Sequence, residues 1–316
     1  MPISAGDIVA VVAAIVLAGI GGEVFLKGIL GIAGWLRVSK LLVATTLAAF
    51  ATSSPELTVS SMAALSGKPE IGLGDALGSN VVNIALIFGL ALLFGPIRAE
   101  RRELGRDFGL ALIVPLLTLW LAADGALTRL DGVLLLLVFA GWMVAVVRVG
   151  RLEREAAALA GKVGRPLRAF AYALVGLIAL MAAGRLFVDG ASGVASAFGV
   201  DPYVIGVTLV AIGTSMPELV TVLLARLRGH DEVGIGTLLG SNLFNGLGIV
   251  GVAASIHPIR TPLMEISVTL VFGVIAVAMM IPNHTGSIPR SRGIVLLGSY
   301  AAFILATIIA GRAMLD

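Results

Sequence analysis

The feature that most constrains this chain is that it repeats itself. Offsetting the 316-residue sequence by 162 positions lays Gly22–Arg98 over Gly184–Arg260 without a gap. About 30 of those pairs are identical, too many for shared apolar bias alone. The matches include polar and backbone-special residues: Thr52/Thr214, Ser53/Ser215, Pro55/Pro217, Glu56/Glu218, Gly67/Gly229, Gly78/Gly240, Ser79/Ser241, Asn80/Asn242 and Asn83/Asn245. The two copies therefore predict two like folding units and one polar constellation made twice.

Hydropathy says where those units sit. The chain is 58% hydrophobic and 13% charged, against about 25% charged in soluble domains. That leaves too little polar surface to cover a water-soluble globule. A bilayer core needs about 20 apolar residues per helix. Suitable segments lie near 8–35, 40–66, 71–95, 107–123, 131–149, 168–198, 203–227, 233–256, 263–282 and 292–311. The expected fold is an all-α membrane protein of ten transmembrane helices. The first apolar segment has no basic leader and belongs to the repeat, so it reads as a retained span rather than a secretory signal.

Five spans per copy is an odd number, so the second copy enters the membrane from the opposite side and the repeats are inverted. Residues 1–149 form the first five-helix repeat, 150–167 a cytoplasmic linker and 168–316 the second. Within the linker, Glu153-Arg154-Glu155 favours a short interfacial helix. Sixteen of the 22 Lys and Arg residues, from Arg37 and Lys40 to Arg290 and Arg292, fall in one alternate set of loops. By the positive-inside rule that set is cytoplasmic, which leaves both termini extracytoplasmic in a multi-pass cell-membrane protein. The formal charge of +3 forms no patch for nucleic acid, and the absence of cysteine excludes disulfides and thiolate metal sites.

The chemistry concentrates in two paired motifs. Ala-Thr-Ser-Ser-Pro-Glu at 51–56 and Gly-Thr-Ser-Met-Pro-Glu at 213–218 put Glu56 and Glu218 mid-span. An ionised side chain there costs roughly 3 kcal/mol. No Lys or Arg lies beside either acid within its span, so a bound cation is the simplest partner. Pro55 and Pro217 kink their helices and free carbonyls of the preceding turn, Ala49 to Thr52 and Ala211 to Thr214. Gly-Ser-Asn-Val-Val-Asn at 78–83 and Gly-Ser-Asn-Leu-Phe-Asn at 240–245 add Ser79, Asn83, Ser241 and Asn245, each Ser–Asn pair one turn apart. Carboxylates, carbonyls, hydroxyls and amide oxygens make an all-oxygen site, suited to Ca²⁺ and Na⁺ rather than zinc or copper.

These four motif copies resemble the two alpha-repeats of the sodium/calcium exchanger family, within the calcium/cation antiporter superfamily. The likeness covers essentially the whole chain and fits prokaryotic members without a large cytosolic domain. It implies secondary active exchange of Ca²⁺ for Na⁺ by alternating access, with the lipid bilayer as setting and neither a cofactor nor an obligatory protein partner. It implies that Glu56 and Glu218 are the central acids and that Thr52 and Thr214 give main-chain carbonyls. Ser53, Ser79, Ser215 and Ser241 match the flanking sodium sites, with the carbonyls of Ala49 and Ala211. Asn83 and Asn245 match third-span ligands of the centre.

Two positions depart from the family pattern. Ala51 replaces a usual glycine, and Asn245 stands where potassium-dependent relatives carry Asp. The alternative reading is a Ca²⁺ or other cation antiporter coupled to H⁺ or K⁺. The proton-coupled branch, however, has Asn rather than Ser-x-Pro before the acid. No nucleophile–base pair or phosphate loop appears, so the chain does not read as an enzyme. Glu23/Lys27 and the aligned Arg185/Asp189 are expected to pair within their helices or across them. Glu103 and Glu265 are minor candidates for gating.

Overall fold

The computed structural model describes residues 4–99, 101–156, 165–200, 205, 208–209, 211–261 and 263–313. Residues 157–164 of the linker and much of the segment expected to open the seventh span lie outside these residues, as do the side chains of Glu103 and Glu265.

The first helix, α1 (Ala5–Leu36), starts at a capping box between Ser4 and Asp7 and stops at Arg37, whose φ of 58° is left-handed. At 32 residues it is about 48 Å long, so it must tilt to fit a bilayer core of about 30 Å. The equally long α9 (Pro166–Ala197) lies against it. Gly31 meets Ala169, Gly28 meets Ala173, Gly21 meets Ala179, and Gly190 meets the main chain of Asp7, so the two run antiparallel. Glycine and alanine along this seam let the backbones touch, and close packing is what holds helices together where lipid removes the hydrophobic drive.

Between α1 and α9 in sequence, α2 (Lys40–Val43) passes through a π-helical stretch (Ala44–Ala48) into α3 (Ala49–Thr52), and α4 (Ser54–Leu65) follows. Gly67, at φ +71°, turns the chain into α5 (Pro69–Val81), which continues through π-helical Val82–Phe88 to α6 (Gly89–Leu93). Two peripheral helices follow, α7 (Arg101–Leu121) and α8 (Arg129–Ala156). The second half repeats the plan. It has α10 (Ala211–Thr214), α11 (Met216–Leu227), a turn at Gly229 with φ +74°, and α12 (Asp231–Leu243). Then come π-helical Phe244–Ile249, α13 (Val250–Ile256), α14 (Leu263–Met280) and α15 (Arg290–Ala313).

Two antiparallel ladders tie the halves together. Strand β1 (Ile97–Arg98) pairs with β4 (Ser287–Ile288), and β2 (Ala126–Leu127) pairs with β3 (Ile259–Arg260). Each ladder is the other with the halves exchanged, to within one position: Ile97 opposite Ile288 corresponds to Ile259 opposite Leu127. The central helices α5 and α12 with their π-helical continuations are the most enclosed, and α1, α7, α8, α9 and α15 show most of their surface outward.

Among the described residues, seven helices are long and apolar enough to cross a membrane. The expected second, seventh and ninth spans are not among them. The second is cut at Ser53, the seventh is only partly described, and in the ninth the described apolar stretch, Ile266–Met280, is shorter. At the other extreme, α8 outruns its expected end. The Glu153–Glu155 run is the end of α8 rather than a separate helix, and Glu153 accepts hydrogen bonds from the Ser39 amide (2.7 Å) and hydroxyl (3.1 Å).

Candidate cation site

The breaks in the second and seventh spans come from proline, but not as simple kinks. Ser53 (φ −86°, ψ 7°) and Ser215 (φ −84°, ψ 13°) each end one helix, and a new one starts with Pro55 or Pro217 in its first turn. A missing N–H is harmless there, because first-turn amides have no intrahelical acceptor. The expected release of the Ala49 and Ala211 carbonyls does not occur. Ala49 O accepts from the Ser53 amide (3.0 Å) and the Thr52 hydroxyl (3.3 Å); Ala211 O accepts from the Ser215 amide (3.3 Å) and the Thr214 hydroxyl (3.1 Å). Both lone pairs of each carbonyl are thus engaged, so an ion at either oxygen would compete with these donors.

Restarting the helix places Glu56 and Glu218 in the first turns of α4 and α11. The partial positive charge of a helix N-terminus favours a carboxylate there. Both side chains are 1% exposed. They come from different halves, yet Ser53, three residues before Glu56, reaches Glu218.

Around them the polar residues of both motifs gather, interleaved across the halves. Glu218 Oε1 accepts from Ser53 Oγ of the first half and Ser241 Oγ of its own, both at 3.2 Å. Thr52 Oγ1 lies 3.4 Å from Ser241 Oγ. Ser79, Asn83, Ser215 and Asn245 are buried, whereas Thr214 and Ala211 are half-buried. The mirror-image bonds from Ser215 and Ser79 to Glu56 are not formed, and Ser215 Oγ has no hydrogen-bond partner. Glu56 Oε2, Glu218 Oε2, Asn83 Oδ1 and both polar atoms of Asn245 are likewise buried and unpartnered. Such groups cost about 1–3 kcal/mol each when left unanswered, and their oxygens are of the kind that hard cations take as ligands. Among the described residues no three His, Cys, Asp or Glu side chains converge on a metal position. An ion here would therefore rely on neutral oxygens beside the acids.

Three residues that sequence reasoning left out of the site complete the picture. Asn80 Nδ2 donates to Asn242 O and Asn242 Nδ2 donates to Asn80 O, both at 3.2 Å, and Asn83 Nδ2 donates to Asn242 Oδ1 at 3.1 Å. Repeat-related residues thus hold each other's main chain where α5 crosses α12; their identity in the two copies was the available signal. Asp75, on α5, also has a buried carboxylate oxygen without a partner. Its aligned residue is Thr237, so self-comparison could not reveal it.

On the flank, the pairing of Glu23 with Lys27 is intrahelical (3.4 Å), but the cross-helix partner is Arg228 at the end of α11 (2.9 Å). Among the described residues no ion pair joins Arg185 or Asp189 to α1.

Known proteins were compared against this arrangement. A family model described as sodium/calcium exchanger protein matches residues 7–148 and 168–309. The putative antiporter CaxA of Alkalimonas amylolytica is 37% identical over 241 residues, covering 74% of this chain and 76% of that one. The inner membrane protein YrbG of Escherichia coli is 32% identical, covering 84% of this chain and 86% of its own length. The solved structure of the sodium/calcium exchanger from Methanococcus jannaschii superposes with a TM-score of 0.80 at 27% identity, covering 95% of this chain and 98% of that chain. Sequence, fold and site agree: this chain belongs to the sodium/calcium exchanger family, as a transmembrane antiporter of the prokaryotic type.

Proposed function

We propose that the chain exchanges Ca²⁺ for Na⁺ by alternating access, at a site built by Glu56 and Glu218. The observation that carries this reading is the pair of buried carboxylates, one from each half, set among hydroxyls and amides of both. Two carboxylates supply −2, which one Ca²⁺ balances and two or more Na⁺ balance or exceed. An empty site would hold like charges in a low-dielectric interior, a cost that opposes the occluded transition and suppresses leak. Thr52, Thr214, Ser53, Ser79, Ser215, Ser241, Asn83 and Asn245, with the carbonyls of Ala49 and Ala211, complete the proposed ligand set.

The architecture we infer is ten spans in two inverted five-helix repeats, joined by a cytoplasmic linker at 150–167, with both termini outside. The antiparallel run of α1 along α9 and the half-exchanged ladders support the inversion. Exchanging the conformations of two like halves turns access from one side to the other.

The test is ⁴⁵Ca²⁺ uptake into proteoliposomes under imposed Na⁺, K⁺ or H⁺ gradients. Uptake should follow the Na⁺ gradient and vanish in Glu56→Gln and Glu218→Gln, with both variants still monodisperse. Uptake driven only by H⁺ would replace this reading with the proton-coupled one; exchange retained in both variants would remove the site.

A further inference from the structure

The third acid of the central region, Asp75, stands one turn before Ser79 on α5, so the two share a helix face. Exposure falls along that face: Gly74 is exposed, Asp75 and Gly78 are half-buried, and Ser79, Val82 and Asn83 are buried. Among the described residues nothing lies within 4 Å of where a Cβ would stand on Gly74 or Gly78. The face thus runs from the surface to Ser79 and Asn83 of the candidate site. Asp75 Oδ2 is buried without a hydrogen-bond partner, and Glu56 Oε2 is itself enclosed and unpartnered. Yet the acids do not converge in threes. Asp75 is therefore not another carboxylate on an ion between Glu56 and Glu218; it occupies a separate point on the way to them.

The second copy is built differently at the same place. Thr237 is fully buried and spends its hydroxyl on Val233 O at 2.8 Å. The flanking glycines are closed over: a Cβ on Gly236 would stand 2.9 Å from Ala44 Cβ, and one on Gly240 would run into the main chain of Thr45. One face is acidic and partly open, and its counterpart is neutral and shut.

We propose that Asp75 is a cation waypoint serving ions that approach the central acids along α5 from its Lys68 end, and that the route past Thr237 has no such station. The proposal rests on the cation-exchange reading above. A carboxylate lining a low-dielectric approach raises the local cation concentration and speeds capture by about 10-fold or more. A divalent ion gains more from it than Na⁺ does. The antiporter would then take up Ca²⁺ more readily from one side than from the other, although its central site is nearly symmetric.

The experiment compares wild type with Asp75→Asn and Asp75→Thr, the second copying the other repeat. The native chain has no cysteine, so biotin on Ser66→Cys captures vesicles with one face outward. Both substitutions should raise the half-saturating Ca²⁺ about 10-fold from the Ser66 side. Maximal rate and the opposite side should stay unchanged, and added salt should shrink the difference. An unchanged half-saturation, an equal change on both sides, or a loss of maximal rate overturns the proposal. Stopped-flow Ca²⁺ association in detergent separates this from the parent reading. Slowed capture by Asp75→Asn in a protein whose transport ignores Na⁺ would uphold the waypoint and sink Na⁺ coupling; unaltered capture would sink the waypoint whatever the coupling ion.

Discussion

Replacing Gly213 by alanine tests whether the contact between α9 and α10 sets the arrangement seen here. Gly213 and Gly184 bring two backbones together: a Cβ on Gly184 would run into the Gly213 carbonyl, and one on Gly213 would overlap Val188 Cγ2 with Gly184 O only 3.2 Å away. Val188 is β-branched with a stiff χ1, so it cannot swing aside cheaply. Overpacking of this kind costs about 1–3 kcal/mol, which shifts a two-state balance by about 5- to 150-fold. The first copy already carries the methyl, as Ala51, and the residue aligned with Val188 is Leu26. With the halves exchanged, the Ala51 methyl would meet Leu26, so this chain is biased towards the present arrangement. Gly213→Ala should offset that bias and Gly213→Ala/Val188→Ala should restore it. Spin labels on Ile20→Cys and Leu227→Cys, both 60% exposed, report the α1–α11 separation. The double variant should recover the wild-type distance distribution along with its Ca²⁺ exchange rate. A lowered Tm with an unshifted distribution in Gly213→Ala would show that the contact is only packing.

Ser53→Ala and Ser241→Ala each remove a hydrogen bond to the Glu218 carboxylate, worth about 1.5–3 kcal/mol for a charged acceptor. Each should weaken Ca²⁺ binding by at least about 10-fold in a titration, whereas Ser54→Ala, whose hydroxyl bonds only Ala51 O (2.7 Å), should not. Asn80→Ala leaves the Asn242 carbonyl without its donor and should lower stability by about 1–3 kcal/mol, read as Tm, with Asn242→Ala doing the same. Glu23→Arg should break the pair with Arg228 and Arg228→Glu should restore it. Because the pair is partly exposed, the coupling in a double-mutant cycle should not exceed about 1 kcal/mol.

What was legible in the sequence was what the repeat wrote twice. Glu56, Glu218, Ser53 and Ser241 fall together because identical residues occupy identical places in two like units, and burial of a mid-span acid follows from hydropathy alone. The form of the break at Ser53 was not legible. Whether a proline bends a helix or restarts one depends on what answers the carbonyls before it. In the first copy Ser54 Oγ answers Ala51 O; in the second, Met216 has no hydroxyl and Gly184 packs on Gly213 O. Nor was the partner of Glu23 legible, since Arg228 lies 205 residues away and has no helical spacing to betray it. Asp75 escaped for the opposite reason: a search keyed to likeness passes over the position where the copies disagree.

The Asn80–Asn242 pair has a bearing on how such a chain can change. Each amide grips the other residue's backbone, as a residue near a two-fold axis grips its own copy in an isologous dimer. Two separate half-length chains would make the same bond from a single asparagine codon. Once the halves share one polypeptide, loss of either asparagine removes a bond to the opposite helix. This spot therefore resists divergence, while Ala51 against Gly213 and Asp75 against Thr237 are free to drift and give the two faces of the membrane different manners.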